Sequence, residues 1–428
     1  MDLKAPRGTR DILPVETPAW QYVEQSFSSV CDRFSFQEIR VPTFEQTELF
    51  QRGVGDTTDI VQKEMYTFED KGGRSMTLRP EGTAGVVRAY LENGLSSEPS
   101  PQKLYYILNS FRYEKMGKGR YREFNQMGCE LFGSEEPTAD AEIISLLFLF
   151  FRELGLKEIN LKINSIGCPK CKPAYLDQLR EYLRPQIHEL CENCQDRFER
   201  NPMRILDCKE DAENEIVKNA PLQLEHLCSE CEEHFASLCA ELDNLGFQYE
   251  IDGHIVRGLD YYSRTVFEFI SNNVGTQGTI CGGGRYDGLI EELGGLPTPA
   301  VGFALGVERL LMELNSQNIV LPSVKGPDIY IVSFPDTINQ AAKICFELRN
   351  NKIKAENNLN ARSFRAQMKY ADRIQAKYLV VLGEDELKTE KVSLKRMSDG
   401  EEIELDLADL AEYIKNKALL SKDEEKEI

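Results

Sequence analysis

The feature that most restricts how this chain can fold is an interruption. Residues 1–160 and 256–316 alternate strand patterns with amphipathic helices, whereas 161–255 between them is acidic, helical and rich in cysteine. Strand character resumes in "VRGLDYYSRTVFEF", residues 256–269. From Tyr262 onward Arg264, Val266 and Glu268 alternate with Ser263, Thr265, Phe267 and Phe269, the period of a half-buried strand. The simplest account is one domain with 161–255 inserted into it. In its first part "AWQYVEQSFSSVCDRF" carries Trp20, Val23, Phe27, Val30 and Phe34 as the stripe of an amphipathic helix. "FQEIRVPTFE" is extended and broken at Pro42, which suits an edge or a join because proline cannot donate to a ladder. "SMTLRP", "KLYYILNSFRYE" and "REFNQMGCELFG" read as further strands. The mixture predicts an α+β fold around an antiparallel sheet. After a linker, "NSQNIVLPSVKGP", residues 327–428 alternate strands and helices as a small α/β domain.

Charge and cysteine usage narrow the setting. With 51 basic and 71 acidic residues the formal charge is -20, which argues against a simple coat on nucleic acid. A locally basic groove stays open, since charges act over a Debye length of about 8 Å at physiological salt. The start, "MDLKAPRGTRDILP", lacks the apolar core of a signal peptide, and no window approaches a membrane span of about 18 apolar residues. The longest apolar run, "ISLLFLFF", follows the acidic "TADAEI" and fits a buried helix. A cytoplasmic protein with no membrane partner is expected. Eight of the 12 cysteines lie between Cys168 and Cys239, six of them in three C-x-x-C pairs. In a reducing compartment this spacing points to metal before disulfide. Cys168, Cys171, Cys191 and Cys194 form the expected structural zinc site, which Cys208, Cys228 and Cys231 could complete or replace; packed, reduced thiols are the alternative.

Three further stretches carry groups suited to chemistry. In "TLRPEGTAGVVRAY" a strand ends at Arg79-Pro80 and a helix opens with Thr83 available as its N-cap, a capped turn that is structural or functional. In "SFRYEKMGKGRYREFNQMGCELFG" two strands flank a loop in which Arg112, Lys115, Lys118, Arg120 and Arg122 suit phosphate or an RNA backbone, or else form a solvated charged loop. Gln126 and Glu130, four apart, face one side of a strand. The run "CGGGRYDGL" lets backbone approach a ligand, and "GFALGVERLLM" puts Arg309 near a helix start. Arg257 and Asp260 flank a glycine, as a structural ion pair or as something more.

Taken together and in order, these segments resemble histidyl-tRNA synthetases, a subgroup of class II aminoacyl-tRNA synthetases. "FQEIRVPTFE", "FRYEKMGKGRYREFNQ" and "GFALGVERL" are similar to the three class II motifs. "LRPEGT" and "RGLDYYSRTVFEF" are similar to the two segments that distinguish the histidine subgroup, and the likeness covers nearly the whole chain. The resemblance implies a catalytic domain over 1–160 and 256–316, a helical insertion over 161–255 and an anticodon-binding domain over 327–428. It implies ligation of L-histidine to histidine tRNA through histidyl-adenylate, with ATP and Mg2+, in a homodimer. Arg257 and Arg112 then stand at the α-phosphate, Arg309 at the ATP tail, Glu114 at the adenine amino group and Phe124 against its ring. Glu130 and Tyr261 match imidazole-contacting positions, Glu81, Thr83 and Gln126 the amino-group and carboxylate positions, and Tyr262 the pocket wall. Arg362, Arg365, Lys369 and Arg373, spaced 3, 4 and 4 apart, are expected to lay four cations along one helix face toward tRNA.

Two departures accompany the likeness. The loop reads Lys115-Met116-Gly117-Lys118 where many bacterial members have an Arg-Pro-Gln run, and Asn125 stands where histidine is frequent. Two competing functions are a catalytically silent relative serving as a regulatory subunit of histidine biosynthesis, and a class II ligase for another amino acid. The first typically lacks the anticodon-binding unit and the ATP contacts that are present here; "RGLDYYSRTVFEF" disfavours the second.

Overall fold

Strand alternation separates core from site in the larger part of this chain. A computed structural model describes residues 3–55, 58–271, 273 and 278–424, in two units, Met1–Pro322 and Ser323–Ile428. Among the described residues the first unit holds an eight-stranded sheet in the order Gln37–Glu38, Gln102–Phe111, Glu123–Phe132, Ala300–Gly306, Thr279–Arg285, Ser263–Ile270, Asn160–Ser165, Tyr249–Ile251. Neighbours are antiparallel except at the two margins, where Gln37–Glu38 runs parallel to Gln102–Phe111 and Asn160–Ser165 parallel to Tyr249–Ile251. Met127, Cys129, Leu131, Phe267, Phe269, Phe303 and Leu305 point from one face into a core shared with the helices Thr17–Arg33, Pro137–Glu153, Ser229–Asn244 and Val307–Ser316. Phe27 is fully buried there, edge-on to Phe150 at 5.3 Å and to Phe303 at 6.2 Å. The expected stripe Trp20, Val23, Phe27 and Val30 is buried, while Phe34 falls just past the helix end and is half-buried. Alternation sends Gln126, Gly128, Glu130, Val266 and Glu268 to the opposite face.

The chain leaves this sheet and returns to it. Asn160–Ser165 and Tyr249–Ile251, the two ends of the block expected to be an insertion, are paired into the sheet, so the helical part is 166–248. Leu161 and Ile163 alternate with polar residues and are buried, a strand signal masked by the cysteine-rich composition that follows. The insertion packs Tyr175, Leu179, Leu183, Phe198 and Met203 against Val86, Tyr90 and Val256. Pro42 acts as the expected join: the strand Phe44–Gln46 beyond it belongs to a separate three-stranded sheet with Ser75–Leu78 and Tyr66–Glu69. Arg79 pins the junction, donating to the carbonyls of Val41 at 2.8 Å and Pro42 at 3.0 Å, and to Asn109 Oδ1 at 2.6 Å.

The second unit has a five-stranded sheet in the order Ala355–Asn357, Ile329–Ser333, Tyr378–Leu382, Lys391–Arg396, Glu402–Asp406. The first three strands are parallel and the last two antiparallel to their neighbours. Ile329 and Ile331 face one core with Cys345 and Leu348, whereas Tyr330 and Val332 face another with Ala371 and Leu379. Burial on both faces explains the unbroken apolar run "IYIV".

Candidate active site

The helix Thr83–Glu92 begins beneath the sheet, and its start is capped differently from the sequence expectation. Glu81, not Thr83, is the cap: its carboxylate accepts from the backbone N–H of Thr83 at 2.7 Å and of Ala84 at 2.8 Å. A buried carboxylate at a helix start gains from the exposed N–H groups and the dipole. The Thr83 hydroxyl is thereby released to donate to Glu130 Oε1 at 2.7 Å. Tyr106 donates to the same oxygen at 3.2 Å, and Tyr286 makes a short hydrogen bond to Oε2. Glu130 is fully buried, and burial pushes its pKa up to about 8 against the opposing effect of the Tyr286 and Thr83 hydroxyls. Burial likewise raises Glu81. Tyr261 and Tyr262 close the cluster, with ring centroids 4.7 Å apart, and Tyr261 lies 5.5 Å from the Tyr286 ring.

Beside this cluster lies a cleft of about 880 Å³ whose lining includes Arg112, Glu114, Phe124, Gln126, Arg257 and Arg309. The three arginines span 112 to 309 in the sequence, nearly 200 residues, and each is held. Arg112 donates from Nε to the Pro80 carbonyl at 2.8 Å and lies over the Phe124 ring at 5.3 Å. Arg257 pairs with Glu268, whose other oxygen accepts from Thr279 Oγ1 at 2.8 Å. Arg309 Nη1 donates to the Thr279 carbonyl at 2.7 Å. Glu114 faces Arg120 at 3.6 Å. Burial and then the neighbouring Arg120 lower the pKa of Arg309. Guanidinium groups fixed in one cleft are suited to donate to phosphate oxygens. Arg257 Nε and Asp207 Oδ1 are buried with no hydrogen-bond partner, and both belong to residues lining this cleft.

Glycines on the central strands make room for the polar groups rather than only for a ligand. Gly302 is directly opposite Glu130 in the strand register, and a Cβ there would come within 2.9 Å of the Glu130 Cδ. A Cβ on Gly282 would lie 2.5 Å from both Cζ and Nη1 of Arg257. Off the strands, at the N-cap of the helix Thr83–Glu92, a Cβ on Gly82 would meet the Tyr106 ring at 2.5 Å.

Several sequence expectations are brought together and others are not. Gln126 lines the open cleft and accepts from Ser110 at 2.8 Å, whereas Glu81, Thr83, Glu130, Tyr261 and Tyr262 form the buried cluster. Arg257 and Asp260 do not pair with each other: Asp260 accepts from Asn201 at 2.8 Å. Lys115, Met116, Gly117 and Lys118 are exposed at the hairpin tip, as a charged loop should be. The expected zinc set does not assemble. Cys168 and Cys171 meet Cys228 and Cys231, while Cys191 and Cys194 meet Cys208 and Asp211. The helix Lys172–Leu183 starts right after Cys171 and, at 1.5 Å per residue, carries the chain about 18 Å onward before Cys191 is reached. In the second unit the helix runs Phe364–Arg373, so exposed Arg365, Lys369 and Arg373 share its face. Arg362 precedes the helix, with its guanidinium 4.0 Å from the Tyr370 ring. Sequence reading missed Tyr106, Tyr286 and Glu268; their signal was period-two placement beside Gly282 to Gly284 and Glu130.

Comparison with known proteins fits this geometry. A family model described as histidyl-tRNA synthetase matches residues 8–310, and one described as an anticodon binding domain matches 319–417. A protein named histidine–tRNA ligase from Acetivibrio thermocellus is 57% identical over 413 residues, 96% of this chain and 99% of that one. One of the same name from Clostridium botulinum strain Langeland is 52% identical over 416 residues, 97% of this chain and 99% of that one. The crystal structure of apo S. aureus histidyl-tRNA synthetase superposes with a TM-score of 0.82 at 40% identity, covering 97% of this chain and 100% of that one. With a buried carboxylate cluster beside a cleft of three anchored arginines, and matches of this extent, the chain belongs to the histidyl-tRNA synthetase family.

Proposed function

We propose that this enzyme joins L-histidine to histidine tRNA in two steps. The histidine carboxylate attacks the α-phosphorus of ATP, pyrophosphate leaves, and histidyl-adenylate forms. A hydroxyl at the tRNA 3' end then attacks the adenylate carbonyl and AMP leaves. The observation that carries this reading is the convergence of Arg112, Arg257 and Arg309 on one cleft next to the Glu130 cluster. Negative charge grows on the α-phosphoryl group in the first transition state, and donors already fixed in place stabilise it without reorganising. Arg257, tied to Glu268, and Arg112, tied to the Pro80 carbonyl, serve the α-phosphate. Arg309 takes the ATP tail, Glu114 the adenine amino group and Phe124 the ring face.

Glu130 and Tyr261 read the imidazole. A neutral imidazole offers one N–H and one acceptor, and a buried carboxylate ringed by three hydroxyls has oxygen acceptors and no cation of its own. Glu81, Thr83 and Gln126 take the amino group and carboxylate, and Tyr262 closes the wall. Mg2+ accompanies ATP, where it neutralises phosphate charge; Glu64, in the cleft lining, offers the hard oxygen such an ion prefers. Arg362, Arg365, Lys369 and Arg373 contact tRNA. The exposed Phe44 and Phe68, paired edge-on at 6.1 Å, support a homodimer through the three-stranded sheet. No helix among the described residues is long and apolar enough to cross a membrane, in keeping with a cytoplasmic enzyme. No observation favours the silent regulatory reading. ATP–pyrophosphate exchange measured with each amino acid tests the proposal: exchange with histidine alone is expected, and silence with histidine refutes it.

A further inference from the structure

We propose that the insertion holds two zinc ions in separate centres, one bound by Cys168, Cys171, Cys228 and Cys231 and the other by Cys191, Cys194, Cys208 and Asp211. The inference is independent of the ligase reading. In each group one ligand atom from every residue lies within 4.8 Å of all the others. Finer spacings point to tetrahedral metal. Cys168 Sγ is 3.8 Å from Cys171 Sγ and 3.7 Å from Cys228 Sγ, and Cys171 Sγ is 3.9 Å from Cys231 Sγ. Cys191 Sγ is 3.7 Å from Cys208 Sγ. A tetrahedron with zinc–sulfur bonds of about 2.3 Å has edges of about 3.8 Å, which these four spacings match. A disulfide would need about 2.05 Å, and all twelve cysteines are free.

The surrounding backbone is built for these positions. Gly167, at φ +69°, precedes the first pair, and a Cβ there would come within 2.8 Å of Cys171 Sγ. The Cys168 N–H donates to Cys171 Sγ at 3.3 Å. Lys170 and Glu230, from the middles of the two C-x-x-C turns, are joined at 2.8 Å across the first centre. In the second, the Cys191 N–H donates to Asp211 Oδ2 at 3.0 Å. Cys191 and Cys228 each sit at the N-cap of a helix, Glu192–Arg200 and Ser229–Asn244, so the helix that follows fixes the backbone of each. Three thiolates and a carboxylate, or four thiolates, are donor sets that zinc accepts.

The two centres are nested: residues 191–211 lie inside the loop that the first centre closes between Cys171 and Cys228. They have different tasks. The first ties the start of the insertion to its last helix. The second holds the segment that supplies Arg204, Asp207 and Lys209 to the wall of the cleft.

Zinc content of the dialysed full-length protein, measured by elemental analysis, tests this. Two equivalents per chain are expected, one after Cys228→Ser, and one after Asp211→Ala but two after Asp211→Cys. Wild-type protein gives a second readout where a variant does not fold: an organomercurial titration followed with a metallochromic dye should release two ions as seven thiols are consumed. Folded protein with fewer than two equivalents, release that does not track those thiols, or disulfides in their place overturns the assignment.

Discussion

Substituting Gly282 with alanine separates position from stability at the phosphate site. The added Cβ would sit 2.5 Å from Arg257 Cζ and Nη1, and ordinary contact begins near 3.4 Å, so the guanidinium must retreat by about 1 Å. What moves is the far end of a long side chain, not backbone, and the strand pairing of Gly282 with Glu268 and Ala304 is untouched. The stability cost should stay under about 1 kcal/mol, as for substitutions that spare the core. Misplacing a catalytic group by about 1 Å costs on the order of 10²-fold in rate. The expected result is a fall of that size in kcat for histidine-dependent ATP–pyrophosphate exchange, with the denaturation midpoint nearly unchanged. In an Arg257→Ala background the same glycine change should add little, because contacting residues are not additive. Wild-type kcat in Gly282→Ala, or full additivity in the double variant, refutes the claim that Gly282 exists to seat Arg257.

Three further outcomes are expected. Glu130 has a folded pKa of about 8, above the ordinary value of 4.5, so its contribution to stability is full below pH 4.5 and is lost as pH rises through about 8, at about 1.4 kcal/mol per unit. Denaturant titrations across this range should show a flatter pH dependence for Glu130→Gln, and parallel curves count against it. Arg285 and Asp140 form a fully buried ion pair, so Arg285→Met should cost about 3–5 kcal/mol by leaving a buried carboxylate without its guanidinium partner; a loss below about 1 kcal/mol on chemical denaturation contradicts this. Neutralising Arg365, Lys369 and Arg373 to glutamine should depress aminoacylation far more than exchange and reduce the salt slope of tRNA binding by about 2; an unchanged slope rules the stripe out.

Local patterns reached the site more readily than they reached the pairings made across the fold. Period two in "REFNQMGCELF" was enough to put Gln126 and Glu130 on one face and Met127, Cys129 and Leu131 on the other. It said nothing of Tyr106 and Tyr286, whose hydroxyls reach Glu130 from the neighbouring strand and from just past the end of Thr279–Arg285. The run of glycines was visible, but its purpose depended on Arg257 lying over Gly282, which is a tertiary fact. Cysteine spacing showed that the thiols would cluster and misled about which of them meet, since Cys168 is nearer in sequence to Cys191 than to Cys228, with a helix in between. Thr83 looked like a cap by residue type; the longer reach of Glu81 lets it take both N–H groups. Arg362 fitted the helical spacing, yet the helix begins after it at Phe364, with Ser363 as its N-cap.

The parallel pairing of Leu161 with Tyr249 and of Ile163 with Ile251 has a topological meaning. Two adjacent parallel strands cannot be joined by a hairpin; the chain must travel back the full length of a strand, which takes a dozen or more residues. Everything between them is therefore a single crossover grown very large. Such a cassette can be lengthened, shortened or exchanged without redrawing the sheet, down to a floor of about a dozen residues and no further.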